Sequence, residues 1–196
     1  MWPDHNRAKH MIHYDIDFFL TSLVIILLPG TGVIYTVTAT LSGGVRNGFI
    51  AAFGCTLGII PSALAAVSGL AALLQTDMLA FQILKYLGVA YLLYLTWAIF
   101  TDPGRLGLDQ INNDKNRRRV VLPAILINLL NPKLVIFFFA FLPQFIKANT
   151  AHPVIRMLVL GLIFMVMTFI VFAAYAYFAS MFRRRVVGNI KLQVWL

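Results

Sequence analysis

Charged residues in this chain fall in clusters, and the stretches between the clusters are long and apolar. Residues 18–45, 47–76 and 157–182 carry no charge at all. A fourth run, 86–101, reaches back to Met78 if Lys85 is accepted near its start, and a fifth, 120–145, is interrupted only by Lys133. A helix needs about 20 apolar residues to cross the hydrocarbon of a bilayer, and soluble core helices rarely run so far without a charge. The pattern therefore predicts five transmembrane helices, over 18–45, 47–76, 78–101, 120–145 and 157–182.

Composition removes the alternatives. The 196 residues are 60% hydrophobic and 12% charged, about half the charge of an ordinary soluble domain. That excludes a water-soluble globule and a disordered chain. Cys55 is the single cysteine, so neither an intrachain disulfide framework nor a cysteine metal cluster can be built. Sixteen Lys and Arg face seven Asp and no Glu, for a net charge of +9. In a soluble protein this balance would point to nucleic acid; among apolar helices it reports topology, and no nucleic-acid partner is expected. A cleaved signal peptide fits poorly, because the first run starts at Phe18 and continues too far. The preceding tail, 1–17, holds His5, His10 and His13. It reads as a solvated tail rather than a metal site, since no neighbouring acid or cysteine pattern completes one.

Two polar stretches punctuate the runs. Ser42-Gly43-Gly44-Val45-Arg46-Asn47-Gly48 reads as a tight turn, because it lacks the Lys-Ser/Thr ending of a phosphate-binding loop. The segment 102–119 opens on Asp102-Pro103-Gly104, a stop signal, and closes on Arg117-Arg118-Arg119. It divides the chain into a tail (1–17), a first half (18–101), a basic loop (102–119) and a second half (120–196). With five spans, one side of the membrane receives ten basic residues and the other four, Lys85 and Lys133 aside. The positive-inside rule puts the richer side in the cytoplasm, with the N-terminus outside and the C-terminus inside.

The first run contains Leu28-Pro29-Gly30-Thr31-Gly32 near its middle, and the fourth contains Asn128-Leu129-Leu130-Asn131-Pro132-Lys133. Proline removes a backbone donor and clashes with the preceding turn; glycine opens other backbone paths. Lys133 lies roughly 20 Å of helix from either end of its run, beyond the reach of its side chain. Its burial needs a partner or a wet cavity. Each break sits in the first helix of a half, an arrangement that secondary transporters use to build sites near the midplane. An intramembrane enzyme working with paired carboxylates finds no support, because every Asp lies at or outside a predicted helix end. Gly54 and Gly58 form a small-xxx-small pair suited to close helix packing. The aromatic stretches at 137–139 and 175–177 read as packing or lipid-facing side chains rather than a substrate cage.

With these residues in view the chain resembles the LysE/RhtB family of amino-acid exporters. Pro29-Gly30 is similar to that family's Pro-Gly-Pro element. Gly43-Gly44-Val45-Arg46-Asn47-Gly48, with Gly54 and Gly58, is similar to its glycine-rich turn and second helix. The stretch from Lys85-Tyr86-Leu87-Gly88 to Leu95 resembles its third helix. Asn128 to Lys133, then Phe138 to Phe141 and Leu142-Pro143-Gln144-Phe145, resembles its most diagnostic segment. Two departures stand out. Thr31 replaces the second proline, and the stretch 186–196 is too short, and carries Lys191, where the family has a further apolar helix. The resemblance implies efflux of small amino acids or derivatives such as threonine, homoserine or homoserine lactone, driven by the proton motive force across a bacterial inner membrane.

The resulting expectation is an all-α polytopic membrane protein of two three-helix pseudo-repeats, the second incomplete. Pro29, Gly30, Asn131 and Pro132 would open the backbone. Thr31 and Asn128 would offer neutral hydrogen bonds, and Lys133 would attract a substrate carboxylate or exchange a proton. No enzymatic activity, metal or cofactor is expected. The expected partners are an amino-acid substrate, protons, the lipid bilayer and, in a homodimer, a second copy of the chain. The alternatives are metal or cation export through the histidine tail, and a non-transporting helical membrane protein.

Overall fold

A computed structural model describes residues 5–74, 86, 117–146 and 150–187. Apart from Tyr86, the expected third span (78–101) lies outside the described residues, as do 102–116 of the basic loop and 188–196. Every regular element among the described residues is helical. The chain is an all-α polytopic membrane protein. Helix α1 runs His5–Leu27, α2 Thr31–Gly43, α3 Val45–Leu57, α4 Ile60–Leu74, α5 Arg118–Leu129 and α6 Pro132–Ile136. The backbone of α6 continues as a π-helical turn, Phe137–Phe141, and a 3-10 turn, Leu142–Phe145. Helix α7 spans Pro153–Val187. The first helix starts at His5, so much of the expected tail is helical.

By length and composition the described helices offer two membrane crossings, or up to four if each bent pair is one span. Val45–Gly69 and Pro153–Arg183 are long and apolar enough by themselves. The other two are bent pairs: Ile16–Leu27 with Thr31–Gly43 at 53°, and Arg118–Leu129 with Pro132–Phe145 at 48°. The bends fall at Pro29-Gly30 and at Asn131-Pro132, where proline cannot continue the backbone ladder. The turn between α2 and α3 is a single residue, Gly44, at φ +83. A side chain there would be strained, which is why the chain can reverse so sharply only at a glycine.

Close approach of small residues sets the packing. A Cβ on Gly54 would stand 2.7 Å from Ala124 Cβ, and one on Gly58 would meet Ile125 O and lie 2.9 Å from Asn128 Cβ. Helices α3 and α5 therefore touch almost backbone to backbone. Buried hydroxyls on α2 are satisfied within the helix: Thr36 Oγ1 donates to Gly32 O and Thr40 Oγ1 to Thr36 O. In hydrocarbon, where no water is at hand, such internal pairing is required. The Tyr35 hydroxyl donates to Val120 O at 2.9 Å, tying α2 to the start of α5. Arg183 Nη2 reaches Ser42 O at 3.5 Å at the end of α2. The α2–α3 turn with Arg46, the start of α5 and the basic end of α7 thus gather at one end of the bundle.

The π-helical turn has a packing consequence. It lets two consecutive residues, Phe137 and Phe138, both point inward, at 1% and 0% exposure. Phe137 stacks on Phe164 of α7 with centroids 4.2 Å apart, and Phe138 meets the same ring edge-on at 5.4 Å. Phe18 joins from α1 at 6.3 Å. This aromatic cluster holds α6 against α7 and α1, next to both breaks.

Candidate functional site

The second break is capped from within. Asn131 sits at the N-cap of α6 with an extended backbone, and its Oδ1 accepts from Lys133 N at 3.1 Å. Pro132 follows at the first helical position, where its missing N–H costs nothing. The Asn131 Nδ2 donates to Asn128 Oδ1 at 3.3 Å, and the Asn128 Nδ2 donates to Cys55 O at 2.7 Å. That carbonyl is available because α3 and α4 are offset at Gly58-Ile59. Ile59 N donates to Thr56 O, three residues back instead of four, leaving Cys55 O without its helical donor. One side-chain relay therefore links the second break to an irregularity in the neighbouring span. Asn128 is 1% exposed, and a buried amide demands such partners.

The first break has no cap of its own. Gly30 stands at the N-cap of α2, which no side chain caps. At the end of α1, Pro29 has no N–H to give to Ile25 O. Lys133 supplies the missing donor: its Nζ lies 3.0 Å from Ile25 O and 2.9 Å from Leu28 O. The Tyr175 hydroxyl of α7 donates to Leu27 O at 2.9 Å. The negative end of the α1 dipole faces the ammonium, a favourable arrangement. Asp15 and Asp17 are the only acids among the described residues, so Lys133 is held by carbonyl dipoles rather than by a carboxylate. Gly30 makes room for it: a Cβ there would stand 3.1 Å from Lys133 Nζ.

Between the breaks lies a crevice of about 10 Å³, space for little more than one water molecule. Gly30 and Gly32 line one wall, Asn128, Asn131 and Lys133 another. Helix α7, which is unbroken, closes it with Phe164, Thr168 and Phe172. Thr168 donates to Phe164 O, so its hydroxyl hydrogen is already committed. Lys133 is the one titratable side chain in this lining.

Of the residues singled out in the sequence, Gly30, Asn128, Asn131 and Lys133 converge on the crevice. Pro29, Thr31 and Pro132 are exposed and do not line it; the prolines shape the backbone around it. Gly54 and Gly58 lie at the α3–α5 contact, Gly58 directly behind Asn128. Sequence reasoning missed Tyr175, Phe172 and the carbonyl of Cys55. Pro61 was the available signal of an irregularity in the second run, although the carbonyl it frees directly is that of Leu57.

The family model for LysE type translocators matches residues 23–194. The chain is 32% identical over 163 residues to the homoserine/homoserine lactone efflux protein of Salmonella typhimurium, covering 83% of this chain and 79% of that one. It is equally 32% identical over 174 residues to a membrane protein of Vibrio cholerae, covering 88% and 84%. The corresponding efflux protein of Salmonella typhi matches at 32% over 163 residues, again 83% and 79%. No solved structure matches the chain. Helices that cross the membrane, two of them broken around one inward lysine, and a match over most of the length lead to one conclusion: the chain belongs to the LysE type translocator family and is a transporter, not an enzyme.

Proposed function

We propose that the chain exports small amino acids or their derivatives, of the threonine, homoserine and homoserine lactone class, across a bacterial inner membrane. The observation that carries this reading is the Lys133 ammonium, which reaches from the second helix break to the freed carbonyls of the first. A charge at this depth costs several kcal/mol unless partnered, and a fold with no use for it would be built more simply with an apolar residue. The names of the Salmonella relatives supply the cargo class. The proton motive force is the proposed energy source, with Lys133 as the titratable group in the crevice. The two bent spans support a division into paired halves, each opening on its broken helix. The ten-to-four distribution of basic residues supports an external N-terminus and a cytoplasmic C-terminus.

The test is export from cells. Cells expressing the chain should retain less homoserine, threonine or homoserine lactone than cells carrying an empty vector, and tolerate higher external levels. A protonophore should abolish the difference. Equal retention, with the protein demonstrably in the membrane, would contradict the reading.

A further inference from the structure

We propose that the carbonyl pair Ile25 O and Leu28 O is the binding subsite for a primary ammonium group of the cargo, and that Lys133 occupies it in the empty transporter as a tethered stand-in. The proposal rests on the amino-acid export reading above.

Three observations carry it. The first is the ligand already in place: an alkylammonium, the Lys133 side chain, sits 3.0 and 2.9 Å from the two carbonyl oxygens. These are the distances a free primary ammonium would adopt, and an ammonium has three N–H groups to satisfy. The carbonyls exist as acceptors only because Pro29 breaks the helix. The second observation is space. The crevice holds about 10 Å³, far less than an amino acid needs. Cargo cannot sit beside Lys133 as it stands, whereas withdrawal of the lysine arm would vacate a volume already shaped for an aminoalkyl group. Gly30, whose missing Cβ leaves room at the Nζ, forms part of that shape.

The third observation is chemical. The relatives' names join homoserine with its lactone. Lactone closure joins the carboxyl group to the side-chain hydroxyl with loss of water, so both of those groups disappear. The α-ammonium survives in both molecules. A site serving both can rely on the ammonium and cannot rely on a carboxylate. This reverses the expectation that Lys133 attracts a cargo carboxylate: the lysine is the competitor of the cargo's charge, not its counter-ion. Displacement also gives the carrier a reason to couple cargo entry to movement of α6 against α1, since the lysine links the two.

The measurement is equilibrium binding to the purified full chain. Removing a competitor tied to the site raises the competent fraction and tightens binding in proportion. Lys133→Ala should bind homoserine lactone roughly tenfold more tightly than the unmodified chain. It should also acquire saturable binding of ethylammonium, but not of tetramethylammonium, which has no N–H to donate. Lys133→Ser, which also withdraws the arm from the crevice, carries the same test if the alanine variant does not fold. Unchanged or weaker binding in the variant that folds, or equal response to the two ammonium probes, overturns the proposal. The two readings fail separately. A chain that exports homoserine but shows no gain on losing Lys133 retains the function and loses the subsite. A chain that exports neither cargo, yet binds ethylammonium selectively once Lys133 is removed, retains the subsite and loses the function.

Discussion

The two helix breaks bend their spans to nearly the same degree, 53° and 48°, yet they are held together differently. At Asn131-Pro132 the chain caps itself. Asn131 serves the new helix, and Asn128 links the break to Cys55 O. At Pro29-Gly30 the local sequence offers nothing comparable, and the open carbonyls are met by Lys133 and Tyr175 from other helices. A self-capped break is a rigid elbow. A break completed by distant side chains can exchange them for a ligand. On the proposal that the Ile25 and Leu28 carbonyls take the cargo ammonium, the first break is where binding and movement belong, and the second is the platform that presents Lys133 to it.

Asn128→Ala attacks the rigid elbow most severely. It removes the donor to Cys55 O and the acceptor for Asn131 and leaves a buried carbonyl unmet, a loss of about 2–3 kcal/mol. Lower yield of membrane-inserted protein and an earlier thermal transition should follow; unchanged stability would show that the relay does not hold the platform. Asn131→Ala removes the N-cap and the long donor contact to Asn128 Oδ1 but leaves Cys55 O paired; it should cost roughly 1 kcal/mol, seen as a smaller shift in the same transition. The open break should respond differently. Tyr175→Phe deletes one hydrogen bond to Leu27 O, worth about 0.6 kcal/mol inside a membrane protein. The thermal transition should scarcely move, while the export rate changes measurably. If Tyr175→Phe destabilised the fold as much as Asn128→Ala, the contrast between the breaks would collapse.

The spans among the described residues and both bends were legible in the sequence because hydrocarbon tolerates few charges and proline has no N–H to donate. Those constraints act locally, and local patterns reveal them. Gly30, Asn128, Asn131 and Lys133, which line the crevice, stood out for the same reason: polar or flexible groups are conspicuous in apolar runs. What Lys133 binds was not legible. Its acceptors lie 105 and 108 residues away along the chain and are carbonyls, which every residue carries. Tyr175 looked like one aromatic among many, since only the helix packing brings its hydroxyl to Leu27. Thr31 stood out by its place in the motif, but the first turn of α2 turns its side chain outward. The offset at Gly58-Ile59 was missed because the span stays apolar through it and Pro61 was the one local mark.

The central claim is that Lys133 joins the two breaks and that transport uses its charge. Export of homoserine from cells expressing the unmodified chain, Lys133→Met and Lys133→Arg tests it most directly, with membrane levels matched by blot. Lys133→Met keeps the length of the side chain and loses the ammonium. Export should drop more than tenfold, a change of at least about 1.4 kcal/mol in the barrier, at similar protein level. Lys133→Arg keeps the charge but not the compact ammonium, and export should fall between the two. Near-normal export from Lys133→Met at normal membrane level would contradict the account.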